Sequence, residues 1–323
     1  MPTQITQFTQ PPAGMRRMFT LAAKGFAMGA ADVVPGVSGG TMAFILGIYE
    51  QLIDAIHRLG DPELFRAIAS FRFRDAIKHI PFGFLLTLGS GILLAILTFA
   101  RVIEVWLVEH PSLLWAFFFG LVAASVVAVF HRVARWSADR WVALILGAVA
   151  AFLIVGLVPA RTPSTWWFLF LCGSLAICAM ILPGISGSFI LLLLGQYQTV
   201  LGAINDRNIG IIAVVGAGAV VGIITFTRFL YWLLGRFHDL TVAVLIGFMA
   251  GSLRKIWPWK ETLETALDRH GMPFPVREAN VFPAEWTTET AAALGLAALG
   301  FLVVIVLERL ARPGKVTKPP SGG

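Results

Sequence analysis

A proline followed by glycine-rich backbone inside an apolar segment is the feature that most limits how this chain can fold. Residues 35–49 read PGVSGGTMAFILGIY, and residues 183–197 read PGISGSFILLLLGQY. Proline lacks a backbone donor and fixes φ, while glycine permits sharp turns and close backbone approach. In hydrocarbon, backbone broken in this way persists only where protein buries it or where it borders a wet cavity.

The constraint applies because the rest of the chain reads as membrane sequence. Hydrophobic residues make up 57% and charged residues only 13%, about half the charged share of an ordinary soluble domain. Apolar runs at 82–100, 113–130, 141–158, 209–226 and 291–307 match or approach the roughly 18 residues that suggest a bilayer span. An all-α polytopic membrane protein follows. The first twenty residues hold no apolar stretch ahead of Arg16 and Arg17, so no cleaved signal peptide is expected, and residues 1–15 are read as disordered. The basic residues sit at span ends, which argues against nucleic acid as a partner. Cys172 and Cys178 read as small core residues. The six histidines lie at span ends or in loops without metal-ligand spacing, so neither a metal nor a cofactor is expected.

The two proline words belong to a longer duplication. Residues 35–56 and 183–204 are identical at nine of 22 positions, and residues 83–107 and 210–234 at eight of 25. Gly120, Ala123 and Ser125 then match Gly247, Ala250 and Ser252. The first repeat is read as residues 16–158, with a hairpin over 18–56 and spans over 82–107, 112–130 and 141–158. The second is read as residues 159–310, with a hairpin over 166–204 and spans over 209–234, 240–256 and 288–309. A basic cytoplasmic tail, 311–323, ends the chain.

Lysine and arginine crowd the N-terminus, residues 57–80, residues 131–140, Arg236 and the tail, whereas 108–111 and 159–165 are poor in them. By the positive-inside rule both termini are cytoplasmic. Three full spans per half then invert one half relative to the other, the architecture in which secondary transporters build midplane sites from discontinuous helices. The first hairpin, which carries Lys24, Asp32, Glu50 and Asp54, reads as two re-entrant half-helices entering and leaving on the cytoplasmic side; the second is more apolar and could span fully. The connection 254–287, with five basic and five acidic residues, reads as irregular, its tryptophans acting as interface anchors.

After each break a new helix starts on small polar residues: Ser38, Gly39, Gly40 and Thr41 behind Pro35 and Gly36, and Ser186, Gly187 and Ser188 behind Pro183 and Gly184. Free N–H groups and a hydroxyl at such a start suit an anion, above all phosphate. The plainer reading is that small residues only let helices pack closely. Two matched words in an inverted repeat favour the site. Arg101 and Arg228 occupy equivalent apolar positions and could clasp phosphate bidentately; snorkelling to the membrane surface is the alternative. Asp32 and Glu50 lack acidic counterparts in the second half, which suits coupling to H⁺ or Na⁺.

The stretches ADVVPGVSGGTMAFILGIYE (31–50) and LPGISGSFILLLLGQY (182–197) resemble a bacterial and archaeal membrane family of polyprenyl-phosphate (undecaprenyl-phosphate) translocases, over residues 16–310. The resemblance implies a flippase, not an enzyme, that returns the lipid carrier of cell-wall synthesis to the cytoplasmic leaflet of the plasma (inner) membrane. Its implied partner is a lipid phosphate, and the sequence leaves room for a homo-oligomer. The words also look like the PG-x-S-R-S signature of undecaprenyl-pyrophosphate phosphatases, but neither serine here is followed by arginine. A carrier of small inorganic anions would use the same anion site.

Overall fold

The computed structural model describes residues 14–34, 37–72, 80–160, 162–267, 273–283 and 285–311. The first half begins with α1 (Met15–Asp32), two short helices α2 (Gly39–Ile45) and α3 (Tyr49–Leu59), and α4 (Pro62–Ala69). Three long helices follow: α5 (Phe82–Glu109), α6 (Pro111–Phe130) and α7 (Ala138–Val155). The second half opens the same way, with α8 (Trp166–Ile181), α9 (Gly187–Leu193) and α10 (Tyr197–Asn205). It continues with α11 (Ile209–Arg236), α12 (His238–Ser252), strands β1 (Lys260–Leu267) and β2 (Pro273–Asn280), and α13 (Thr288–Ala311).

Helices α2 and α9 end in the same turn, because each is followed by a glycine where the chain enters the left-handed region. Gly47 has φ 68° and Gly195 has φ 66°, a conformation that glycine adopts without steric cost. Ile48 N–H then donates to the Ala43 carbonyl and Gln196 N–H to that of Leu191, each at 2.9 Å. The turn between α9 and α10 bends the chain by 114°.

Packing is set by glycines that let helices meet backbone to backbone. Gly25 of α1 lies on the Leu88 carbonyl of α5, and Gly91 of α5 on the Ala22 carbonyl of α1. Gly173 of α8 and Gly218 of α11 do the same with Val215 and Phe170. Two further pairs are closed likewise: α6 with α13 through Gly120 and Gly300, and α7 with α12 through Gly147 and Gly247. A β-carbon at any of these positions would overlap a carbonyl oxygen. In lipid, where apolar burial drives little association, such close van der Waals contact holds helices together.

The centre is built from α6 and α12, whose buried residues include Phe118, Val122, Leu245, Ile246 and Met249. Around them α5, α7, α11 and α13 expose Leu97, Leu146, Trp232 and Leu302, side chains that water would not favour and lipid would. Among the described residues five helices are long and apolar enough to cross a membrane: α5, α6, α7, α11 and α13. The expected span at 240–256 is the shorter helix α12, of 15 residues.

Beyond α12 the structure corrects the sequence reading. The connection expected to be irregular is largely an antiparallel ribbon, with Lys260 opposite Asn280, Leu267 opposite Pro273, and register shifts between Thr262 and Thr265. Prolines at 273 and 275 hide it from a sequence reading, yet a two-stranded ribbon has two open edges where a missing donor costs nothing. The ribbon is tied down at its base. Trp257 donates its indole N–H to the Val281 carbonyl, and Asn280 its amide to the Arg254 carbonyl, both at 2.8 Å.

Candidate functional site

The two breaks meet. Ser38 begins α2 as its N-cap, accepting from Gly40 N–H at 3.1 Å. Its hydroxyl lies 3.2 Å from the Met180 carbonyl and 3.3 Å from that of Leu182, at the end of α8. A β-carbon on Gly40 would stand 2.7 Å from the Ile181 carbonyl. The hairpin tips, 142 residues apart in sequence, are therefore in backbone contact. Pro35 and Gly36 lie outside the described residues.

The first tip is filled from within. Asp32, the last residue of α1, accepts from Gly39 N–H at 2.6 Å. Ser38, Gly39, Gly40 and Thr41 are all buried, and the Thr41 hydroxyl finds no hydrogen-bond partner among the described residues. Farther along, Tyr49 packs its buried ring on Phe44 at 4.7 Å. The carbonyls that end α2 are held by cations: Ile45 accepts from Arg132 at 3.1 Å and Leu46 from Lys24 at 2.8 Å.

The second tip uses the same words and stays open. Ser186 caps α9, accepting from Phe189 N–H at 3.2 Å, and its hydroxyl lies 2.9 Å from that of the exposed Ser188. Pro183 and Gly184 are buried against α12, where a β-carbon on Gly184 would stand 2.6 Å from Ser252 Oγ. The residue corresponding to Asp32 is Met180, so no carboxylate enters this helix start. The matching carbonyls, Leu193 and Leu194, accept from Ala160 N–H at 2.9 Å and Thr162 Oγ1 at 2.5 Å. Buried Gln196 braces this loop through Thr162 and Ser164.

A cavity of about 830 Å³ opens beside the second tip. Its polar lining includes Ser186, Ser188, Tyr197, Gln198, Lys255 and Lys260; its apolar walls include Leu107, Trp115, Phe189 and Leu192. Lys255 and Lys260 both face the carboxylate of Glu278, at 3.3 and 3.4 Å. The Lys260 ammonium also lies 4.2 Å from the Trp115 ring centre, and its side chain is only 9% exposed. Burial lowers the Lys260 ammonium to about 8, with Glu278 opposing the shift. Burial pushes the Glu278 carboxyl up, but the two lysines outweigh it and hold the group below its ordinary value. A second cavity, of about 620 Å³, shares Lys255, Lys260 and Glu278.

Other residues singled out in the sequence lie elsewhere. Arg228 donates to the Gly60 carbonyl at the end of α3, and Arg101 is exposed on α5; neither lines either cavity. Glu50 stands 3.0 Å from His238, which reaches Asp239 at 3.2 Å, and Asp239 meets Arg140 at 3.3 Å. Glu50 raises the His238 imidazole to about 9, against the effect of burial and with help from Asp239. The lysine pair was missed because acids and bases balance over 254–287. Only the ribbon, by bringing Lys260 and Glu278 together beside Lys255, sorts them in space.

The fold and site define a multi-pass helical membrane protein with two broken hairpins touching at their tips, one of them beside a cavity lined by two lysines. Residues 28–274 match a family described as undecaprenyl phosphate translocase-like, and the chain belongs to that family. It is 43% identical to the polyprenyl-phosphate transporter of Vibrio cholerae serotype O1, across 89% of this chain and 95% of that protein. It is also 33% identical to the polyprenyl-phosphate transporter of Staphylococcus aureus, across 73% of this chain and 84% of that one. No solved structure matches it significantly.

Proposed function

We propose that this protein is a polyprenyl-phosphate transporter, an undecaprenyl phosphate flippase that returns the cell-wall lipid carrier to the cytoplasmic leaflet of the bacterial inner membrane. The observation that carries the reading is the contact of the two tips, Ser38 on the Met180 and Leu182 carbonyls, beside a cavity bordered by Ser186 and Ser188. It acts by moving the lipid, not by phosphoryl transfer, for which a serine with adjacent arginine would be wanted.

Both termini are cytoplasmic in this reading, and the halves form an inverted repeat. Two contacts support the inversion. The α2 end is held by Arg132 from the loop before α7, and the α9 end by Ala160 and Thr162 from the loop after it. If α7 crosses the membrane, the hairpins enter from opposite sides and their tips meet near the midplane. The ribbon and its cavity then face outward, where the recycled lipid arrives. The phosphate is held in turn by the two helix starts, Ser186–Ser188 first and Ser38–Thr41 after the structure opens inward.

Asp32, at the contact between tips, couples this exchange to H⁺ or Na⁺, and the Glu50–His238 pair closes the cytoplasmic side. Proteoliposomes carrying undecaprenyl phosphate in one leaflet test the reading: exchange should outrun that of empty vesicles, and equal rates would reject it. Asp32→Asn should leave exchange insensitive to an imposed H⁺ or Na⁺ gradient. Retained sensitivity would remove Asp32 from the coupling role.

A further inference from the structure

The lysines of the ribbon cavity hold a carboxylate where the transport reading calls for a phosphate. We propose that Lys255 and Lys260 are the recognition residues for the lipid's phosphomonoester and that Glu278 is its resident competitor, displaced when the headgroup enters. The proposal rests on the transporter reading and names the residues that read the substrate.

Charge is the first argument. A phosphomonoester carries about −1.5 to −2 at neutral pH, which two ammonium groups match and a single carboxylate does not. Both lysines converge on one oxygen of Glu278, Oε2, so one acceptor is shared between two cations. Phosphate offers three terminal oxygens and can serve each lysine separately. Position is the second argument. The same cavity is bordered by Ser186 and Ser188, whose hydroxyls lie 2.9 Å apart and can add hydrogen bonds to a phosphate.

Surroundings are the third. Lys260 is nine-tenths buried, and each ammonium faces an aromatic ring, Lys260 on Trp115 and Lys255 on Phe189 at 5.3 Å. Rings keep a cation partly desolvated without neutralising it, so its attraction for an incoming anion is less screened than in water. The apolar walls formed by Leu107, Phe189 and Leu192 fit the first isoprene units of the tail. Glu278 sits on β2 opposite Thr262; once the phosphate has replaced it, the ribbon loses its ionic tie to Lys255 at the end of α12. Occupancy of the site and freedom of the ribbon are thereby linked.

The test is binding of farnesyl phosphate to the full-length protein in nanodiscs, with farnesol and inorganic phosphate as competitors. Lys255→Gln and Lys260→Gln should each weaken farnesyl phosphate at least about tenfold and leave farnesol unchanged. Glu278→Gln should tighten farnesyl phosphate several-fold, because it removes the competitor and keeps the shape. Unchanged or weaker binding in a folded Glu278→Gln protein overturns the proposal. So does unchanged binding in a folded Lys260→Gln protein, so either variant decides if the other fails to fold. Inorganic phosphate that competes as strongly as farnesyl phosphate would make this a site for the free ion and reject the lipid assignment. Wild-type exchange in proteoliposomes separates the two levels. If it persists while these variants behave unexpectedly, only the residue assignment falls; if it is absent, the transporter reading falls.

Discussion

Set side by side, the two hairpin tips show one sequence word used in opposite ways. At the first, Asp32 takes the Gly39 N–H, Tyr49 is buried, and Lys24 and Arg132 hold the α2 carbonyls. At the second, Met180 stands where the carboxylate would be, Tyr197 and Gln198 border a cavity, and neutral groups of a neighbouring loop hold the α9 carbonyls. The backbone scaffold is shared, and what fills it differs. In this conformation the helix start satisfied by its own carboxylate is closed to an outside anion, and the one without that carboxylate is open.

The position that separates the tips most sharply is Gly40, whose counterpart is Ser188. Gly40→Val should cost about 1–3 kcal/mol from overpacking alone, because its β-carbon would press on the Ile181 carbonyl. Ser188→Ala should change stability by no more than about 0.5 kcal/mol. Thermal melting in detergent compares them, and equal shifts would mean that the tips are not packed differently.

Installing the missing carboxylate is the next test. A β-carbon on Gly187 would lie 3.6 Å from the Met180 β-carbon, behind the nearer Ala176 carbonyl, whereas one on Gly39 would overlap the Asp32 carboxylate. Met180→Asp should place a competing anion on the open helix start and weaken farnesyl phosphate about tenfold, which is about 1.4 kcal/mol. Unaltered affinity would show that the second start takes no part in binding.

Acidity offers a gentler probe. Lys260 holds its proton up to about pH 8, and only the protonated amine attracts phosphate. Affinity should therefore be full at pH 7 and fall by several-fold as pH rises through 8, where Glu278 stays charged. A profile flat to pH 9.5 would remove Lys260 from the site.

The smallest effect belongs to the pair formed by Glu50, whose counterpart Gln198 lines the cavity instead. With His238 raised from its ordinary 6.5 to about 9, the stabilisation is full below pH 6.5 and is lost as pH climbs through 9. Both side chains are more than 40% exposed, so solvent screening limits it to about 1 kcal/mol. Melting temperatures of wild type and Glu50→Gln should converge by pH 9.5.

Much of this was legible in the sequence. The paired PG-x-SG words, the matched glycines and the apolar runs place the breaks and long helices within a few residues. The turns at Gly47 and Gly195 that end α2 and α9 were not legible, since 37–56 reads as one unbroken half-helix. The difference between the tips was not legible, because it depends on whether one side chain, seven residues before Gly39, folds back onto it. Nor was it legible that Arg101 and Arg228, at equivalent positions, have unequal surroundings: one is exposed, the other bonded to Gly60. Nor could a charge-balanced connection reveal that a proline-bearing ribbon would gather two lysines around a single carboxylate.

The glycine contacts carry a mechanical consequence. Where two backbones touch with no side chain between them, neither helix can slide or roll without steric overlap, so each such pair behaves as a stiff beam. The pairs α1–α5, α8–α11, α6–α13 and α7–α12 reduce a crowded bundle to four beams. Relative motion is then confined to the seams between beams, and one of those seams runs between the tips, where Ser38 has two carbonyls within reach and can pass from one to the other.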